Sequence, residues 1–103
     1  MSGLHQYDYG TIIKALIKNT ALEIEDVSLA TAKYFYFEKP SGELMTRNGN
    51  FTTDGSDGYI EYIIASGELD EIGLWSVQCH VVTPSGNWRT NIPEFKVERN
   101  LDS

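Results

Sequence analysis

The fold is decided by two stretches of sequence, YFYFEKPSG at residues 34–42 and CHVVTPSG at residues 79–86. Each is a run of β-forming residues that ends at Pro-Ser-Gly and is followed by more strand-like sequence. Proline fixes the backbone angle at the first corner of a turn, and glycine adopts the positive φ that other residues resist. Two such hairpins in a chain of 103 residues predict a single antiparallel all-β domain.

Alternation of apolar and polar residues predicts further strands on either side of these hairpins. Residues 11–98 contain about seven such segments, separated by turn signals, which is typical of an immunoglobulin-like antiparallel β-sandwich. Residues 1–10 are expected to form an arm or lead-in strand, and residues 99–103 a polar tail. The side chains expected to fill the core are Ile13, Ile17, Phe35, Phe37, Ile60, Tyr62, Ile64, Trp75, Val77, Cys79, Val81, Phe95 and Val97.

Two local features extend this interpretation. Leu22, Ile24 and Val27 lie in a short acidic crossover and are expected to point inward. Pro93 cannot donate to a β-ladder, so the last strand is expected to be an edge strand or to carry a bulge there.

Charge and cysteine content narrow the range of partners. The chain has 15 acidic and 8 basic residues, so its net charge is −7. An acidic surface repels phosphate groups, which argues against nucleic acid and against anionic membranes as partners. Its one cysteine, Cys79, cannot form an internal disulfide, which fits a domain stabilised by packing in a reducing compartment.

The segment DEIGLWSV at residues 70–77 carries the sharpest signal. Immunoglobulin-like sandwiches have an aromatic corner at the start of the sixth strand. Trp75 stands near the tyrosine position of that corner, and Val77 stands near the position of the second cysteine. The sequence therefore predicts that Trp75 is buried at the corner before the sixth strand.

Four motifs together resemble a known family. In order they are DVSLAT at residues 26–31, KPSG at residues 39–42, TDGSDG at residues 53–58 and GELDEIGLW at residues 67–75. Over about residues 9–98 the chain resembles the small immunoglobulin-like virion proteins of tailed bacteriophages, which are related to the N-terminal domain of phage baseplate upper proteins.

The resemblance implies a non-enzymatic structural component of a virion. Such a protein docks on the capsid, neck, tail or baseplate as a decoration, connector or accessory protein. Its partners would be other virion proteins, with self-association left open, and it would assemble in the cytoplasm of the host bacterium.

The residues that could support catalysis or cofactor binding are few. His5 lies in the arm, and His80 is expected on the solvent face of a strand, so neither is placed as a general base in a cleft. The loop that begins at Asp54 starts like a calcium loop, but Ala65 stands where a bidentate glutamate is required. A tight Asp-Gly turn is favoured there. We therefore expect no enzymatic activity, no cofactor and no metal.

Exposed aromatic residues are the remaining candidates for function. Such residues are enriched at protein interfaces, and they also serve as stacking surfaces for sugars. Three interpretations stay open: a docking interface, cover of one sheet by the N-terminal arm within the domain, and binding of a host-surface glycan. The candidate residues are Leu4, Tyr7, Tyr9, Tyr34, Tyr36 and Trp88.

Overall fold

The computed structural model describes residues 4–19 and 21–99, and this part of the chain is all-β. No helix that could cross a membrane is present in it. The strands are β1 Leu4–His5, β2 Ile12–Leu16, β3 Ala32–Glu38, β4 Leu44–Asn48, β5 Asn50–Phe51, β6 Tyr59–Ile63, β7 Gly73–Thr83 and β8 Gly86–Glu98.

These strands form two sheets. One has five strands in the order β1-β8-β7-β3-β4, and the other has three in the order β2-β6-β5. All neighbours are antiparallel except β1 and β8, which run parallel. The predicted all-β class without a disulfide is confirmed. The described residues form eight strands rather than about seven, because β1 and β5 are two-residue strands in segments that show no alternation.

Both Pro-Ser-Gly hairpins are present, but their glycines serve different purposes. Gly42 has φ +92° and closes its turn by donating its N–H to the carbonyl of Lys39 at 2.8 Å. Gly86 is not among the glycines with positive φ. A Cβ atom at Gly86 would lie 2.7 Å from the ring of Trp88, so close packing of that ring requires the glycine.

One apolar core joins the two sheets. Every core residue predicted from alternation is buried except Tyr62, which is half-buried. The Tyr62 ring packs against Phe35 and Phe37, while its hydroxyl donates to the Glu68 carboxylate at 2.6 Å. Burial, followed by this hydrogen bond, raises the pKa of Tyr62 to about 12. Its predicted inward direction is therefore confirmed, while the residue stays half-buried because the phenol needs a polar partner.

Trp75 lies at the centre of the aromatic core and is fully buried. Its ring stacks on Phe95 with centroids 5.9 Å apart and meets Phe37 edge-on at 6.5 Å. The indole Nε1 donates to the carbonyl of Glu71 at 3.0 Å. A single side chain thus fills the core and closes the turn that precedes its own strand.

The corner at residues 70–73 is bound to the β3–β4 hairpin. Lys39 is buried, and its ammonium group donates to Asp70 at 3.0 Å. Glu71 accepts hydrogen bonds from the N–H and the hydroxyl of Ser41, at 3.0 and 2.9 Å. These bonds hold the corner against the β3–β4 hairpin at two positions, Lys39 and Ser41.

Two other expectations have clear outcomes. Val77 pairs with Ile92 and Trp75 pairs with Phe95, so β8 contains one extra residue, and Pro93 lies at this bulge as expected. Val27 is buried, but Leu22 and Ile24 are 78% and 57% exposed, so their inward placement is wrong. Ile24 forms an isolated bridge with Lys18 rather than part of a regular ladder, so alternation does not apply there.

Replacing Trp75 by alanine tests the central packing. Trp75→Ala removes a fully buried aromatic side chain and is expected to lower the free energy of unfolding by about 3–5 kcal/mol in urea titrations. Leu74→Ala is the matched control, since Leu74 precedes it on the same strand and is 55% exposed. Equal, small effects of the two substitutions would contradict the assignment.

Cys79 is expected to resist thiol reagents. Burial raises the pKa of its thiol to about 12 from an ordinary value of 9.0, and the thiolate is the reactive form. A pKa raised in the folded state contributes stability below about pH 9, which is lost as the pH rises towards 12. Labelling at neutral pH should be slow until urea unfolds the protein, whereas Ser85→Cys, on an exposed turn, should react fast. Fast labelling of native Cys79 would be inconsistent with this burial.

Candidate functional site

A polar and aromatic surface covers the outer side of the five-stranded sheet, and we call it the tyrosine face. Strand alternation places its side chains opposite the buried Phe35 and Phe37. The register then aligns Tyr34 with His80 and Tyr36 with Gln78. The tyrosine face consists of Tyr34, Tyr36, Gln78, His80, Asn87, Arg89 and Asn91.

His80 is the most buried member of the tyrosine face. Its expected exposure is wrong, because only 9% of its surface is accessible beneath its cross-strand neighbours. Its Nδ1 lies 3.0 Å from the Tyr36 hydroxyl, and its Nε2 lies 2.7 Å from Oδ1 of Asn87. A carboxamide oxygen can only accept, so Nε2 donates, and in the neutral imidazole Nδ1 accepts from the tyrosine. Both ring nitrogens are therefore satisfied.

The aromatic rings of the tyrosine face form one group. The rings of Tyr34 and Tyr36 are stacked, with centroids 6.2 Å apart and planes inclined by 26°. The imidazole of His80 lies 6.3 Å from the first and 5.9 Å from the second. Both tyrosines are half-buried, so part of each ring remains accessible. The arrangement offers one contiguous aromatic surface.

Polar groups border the rings on β7 and β8. The guanidinium carbon of Arg89 lies 5.8 Å from the centroid of the Tyr36 ring, within reach of a cation–π interaction. Arg89 also donates to Oε1 of Gln78 at 3.2 Å, and Gln78 donates to Oδ1 of Asn91 at 3.0 Å. Asn87, Arg89 and Asn91 are exposed and can offer further donors and acceptors to a ligand.

A shallow depression adjoins the tyrosine face. It encloses about 290 Å³, and its lining includes Tyr36, Leu44, Gln78 and Asn91. Leu44 is 72% exposed and supplies an apolar rim from the neighbouring strand β4. The surface therefore combines aromatic, apolar and amide groups within one contiguous area.

The remaining predicted docking residues do not join the tyrosine face. Leu4 packs partly against the core, and β1 pairs with β8 at Val97 and Glu98. Tyr7 and Tyr9 follow β1 and are 56% and 71% exposed. Strands β8 and β7 separate β1 from β3, so the described part of the arm does not cover the tyrosine face.

Trp88 is not the exposed residue that was expected. It pairs with Val81, whose side chain is buried, so its own ring lies on the inner side of β8 and packs partly against the core. The ring also lies over Gly86, as the close approach at that glycine shows. Its role in this structure is packing.

The acidic loop uses its own carboxylates in hydrogen bonds within the loop. Asp54 accepts from the N–H and the hydroxyl of Ser56 at 2.9 and 2.6 Å. Asp57 accepts from the hydroxyl of Thr53 and from the N–H of Tyr59. Among residues 4–19 and 21–99, no group of three or more histidine, cysteine and acidic side chains could hold a metal ion.

The sequence contained a signal for the histidine and amide members of the tyrosine face. A two-residue turn at Pro84 and Ser85 fixes the pairing of β7 with β8, so residues whose numbers sum to 169 lie opposite each other, as Thr83 and Gly86 do. This rule aligns Asn91 with Gln78 and Arg89 with His80. Alternation of apolar and polar residues alone does not give this register.

Comparison with protein-family models, with curated proteins and with solved structures gives no match to this chain. The fold and the tyrosine face therefore carry the argument about function, together with the sequence motifs.

Replacing Tyr36 by phenylalanine tests the hydrogen bonds of the tyrosine face. Tyr36→Phe removes the donor to a buried ring nitrogen, which should lower the free energy of unfolding by about 1–3 kcal/mol. NMR of the His80 ring nitrogens should also show a changed tautomer balance. Tyr9→Phe, at a position 71% exposed, is the control and should change neither quantity. An unchanged tautomer and unchanged stability in Tyr36→Phe would refute the proposed hydrogen bonds.

Proposed function

We propose that this chain is a non-enzymatic structural component of a tailed-phage virion that docks on a larger protein assembly through the tyrosine face. The assembly would be the capsid, neck, tail or baseplate. The observation that carries docking is the contiguous aromatic surface built by Tyr34, Tyr36 and His80. The four motifs within residues 26–75 support a phage particle as the assembly.

The strand order supports an immunoglobulin-like sandwich. In that fold the B, E and D strands form one sheet, and the G, F and C strands form the other. Strands β2-β6-β5 and β8-β7-β3 follow these two orders. The hydrogen bond from Trp75 to the carbonyl of Glu71 parallels the bond of the tyrosine corner in that fold, which also runs back to the backbone a few residues upstream.

The tyrosine face is suited to protein contact for an energetic reason. Binding normally costs about 0.5–1.5 kcal/mol for each flexible side chain that becomes immobilised. Tyr36 is already held by His80, and His80 by Asn87, so little of this cost remains. Tyrosine and arginine are also enriched at positions that dominate binding energy.

A host-surface or carbohydrate-binding module is the second candidate. The observation that favours it is the shallow depression beside Tyr36, where the amides of Gln78 and Asn91 adjoin an aromatic ring. Sugars stack their apolar faces on aromatic rings while their hydroxyl groups bond to amides. The same residues would then contact a glycan instead of a protein.

Replacing both tyrosines by serine tests the proposal. The double variant Tyr34→Ser with Tyr36→Ser would be supplied as the only copy of the chain during particle assembly, and its content in purified particles would be measured. We expect a loss of about tenfold or more, because a binding energy change of 1.4 kcal/mol is a factor of ten. Leu29→Ser, in the loop between β2 and β3 and 73% exposed, is the control.

Two outcomes separate the candidates. Normal incorporation of the double variant, combined with lost binding to an array of bacterial surface glycans, would favour the carbohydrate-binding module. Normal incorporation with no glycan binding by either protein would reject the tyrosine face as the docking surface.

A further inference from the structure

Strand β2 presents an open edge. It lies at the end of the three-stranded sheet. Ile17 donates to Gly58 and Ile64 donates to Thr11, both at 2.9 Å, so odd-numbered residues of this segment bond to β6 and its extension. In an antiparallel pair the intervening residues direct their backbone groups the other way. The N–H and C=O groups of Ile12, Lys14 and Leu16 therefore face away from β6.

Strand β8 presents a second open edge beside it. The two-residue turn closes on the Thr83–Gly86 pair, so the following odd-numbered residues of β8 direct their backbone groups away from β7. These residues are Asn87, Arg89 and Asn91. β1 pairs with β8 only at Val97 and Glu98 among the described residues, so it leaves this part of the edge open.

An apolar groove lies between the two edges. Its larger part encloses about 500 Å³ and is lined by Ile12, Ile13, Lys14, Ile92, Pro93 and Phe95. A second hollow of about 320 Å³ continues along β2 as far as Lys18. Ile12 is 47% exposed at one end of the groove, and its cross-strand partner Ile63 is 51% exposed. An apolar surface therefore adjoins a row of unpaired backbone groups.

The charge of this groove is opposite to that of the chain. The net charge is −7, yet the charged residues that line the groove and its continuation are Lys14 and Lys18. Neither forms an ion pair with the described residues. Both lysines have even numbers on one extended segment, so their side chains share a face. They are four residues apart, which is about 13 Å along a strand.

We propose that β2 accepts an extended acidic segment of a partner protein as an added strand. The segment would bond to the outward backbone groups of Ile12, Lys14 and Leu16. Its alternate apolar side chains would enter the groove, and its acidic side chains would face Lys14 and Lys18. This inference rests on a separate observation from the tyrosine face, because it depends on the outward backbone groups of β2 rather than on aromatic side chains.

Edge lysines have a competing explanation, since they also discourage strand pairing. The two roles make opposite predictions. If the lysines attract a partner, removing them weakens the binding of an acidic strand. If they instead prevent strand pairing, removing them strengthens the binding of strands.

A synthetic peptide tests the proposal by NMR-detected hydrogen exchange. The probe is the acetylated peptide Ser-Thr-Asp-Val-Thr-Val-Glu-Thr-Ser, and its control has lysine in place of the aspartate and the glutamate. When about nine-tenths of the protein is bound, exchange at the amides of Ile12, Lys14 and Leu16 should slow by about tenfold. The amides of Ile13 and Ala15 already bond to β6 and should not change.

Charge-reversed variants complete the test. Lys14→Glu with Lys18→Glu should abolish the effect of the acidic peptide, whereas Lys96→Glu, an exposed lysine outside the groove, should preserve it. The result that would overturn the proposal is an acidic peptide that slows none of the three outward amides. Stronger protection in Lys14→Ala with Lys18→Ala than in the natural chain would also overturn it, because it would identify the lysines as guards.

Discussion

The structure depends on the burial of one side chain, Trp75, at the point where the chain enters strand β7. The indole contacts Phe95 from the neighbouring strand and Phe37 from the strand on the other side. Its N–H needs a partner once it is removed from water, and the carbonyl of Glu71 supplies one. Because Glu71 also binds Ser41, the same turn holds the β3–β4 hairpin in place.

The surface follows from the core through the geometry of the strand. Phe35 and Phe37 point inward, so Tyr34 and Tyr36 on the same strand must point outward. The register then places His80 opposite Tyr34, where its ring contacts both tyrosines. The position of the tyrosine face is thus a consequence of the aromatic core beneath it.

The sequence alone predicted the features that depend on residues close together along the chain. Alternation placed Trp75 and Cys79 inside, and the turn residues located both hairpins, because each pattern reflects a local preference of the chain. Features that depend on distant partners were predicted less well. A lead-in strand within residues 1–10 was one of two alternatives, and β1 lies there, but its pairing with β8 and the strand β5 paired with β6 were not predicted.

The wrong predictions for His80 and Trp88 also concern contacts with residues on other strands. Alternation correctly placed His80 on the outer side of its strand, but its burial comes from Tyr36 and Asn87 on two other strands. Trp88 was assigned to the surface because it follows a turn, although its pairing with Val81 directs it inward. Applying the register of the β7–β8 hairpin would have corrected Trp88 and indicated much of the tyrosine face.

Site-specific photocrosslinking tests the central claim most directly. The substitution Tyr34→p-benzoylphenylalanine places a reactive group on the tyrosine face, and the same substitution at Tyr59 places one on the outer side of the other sheet. After irradiation of assembled particles, we expect covalent adducts between position 34 and another particle protein. Adducts from position 59 alone, in particles that contain both variants at equal levels, would contradict the account.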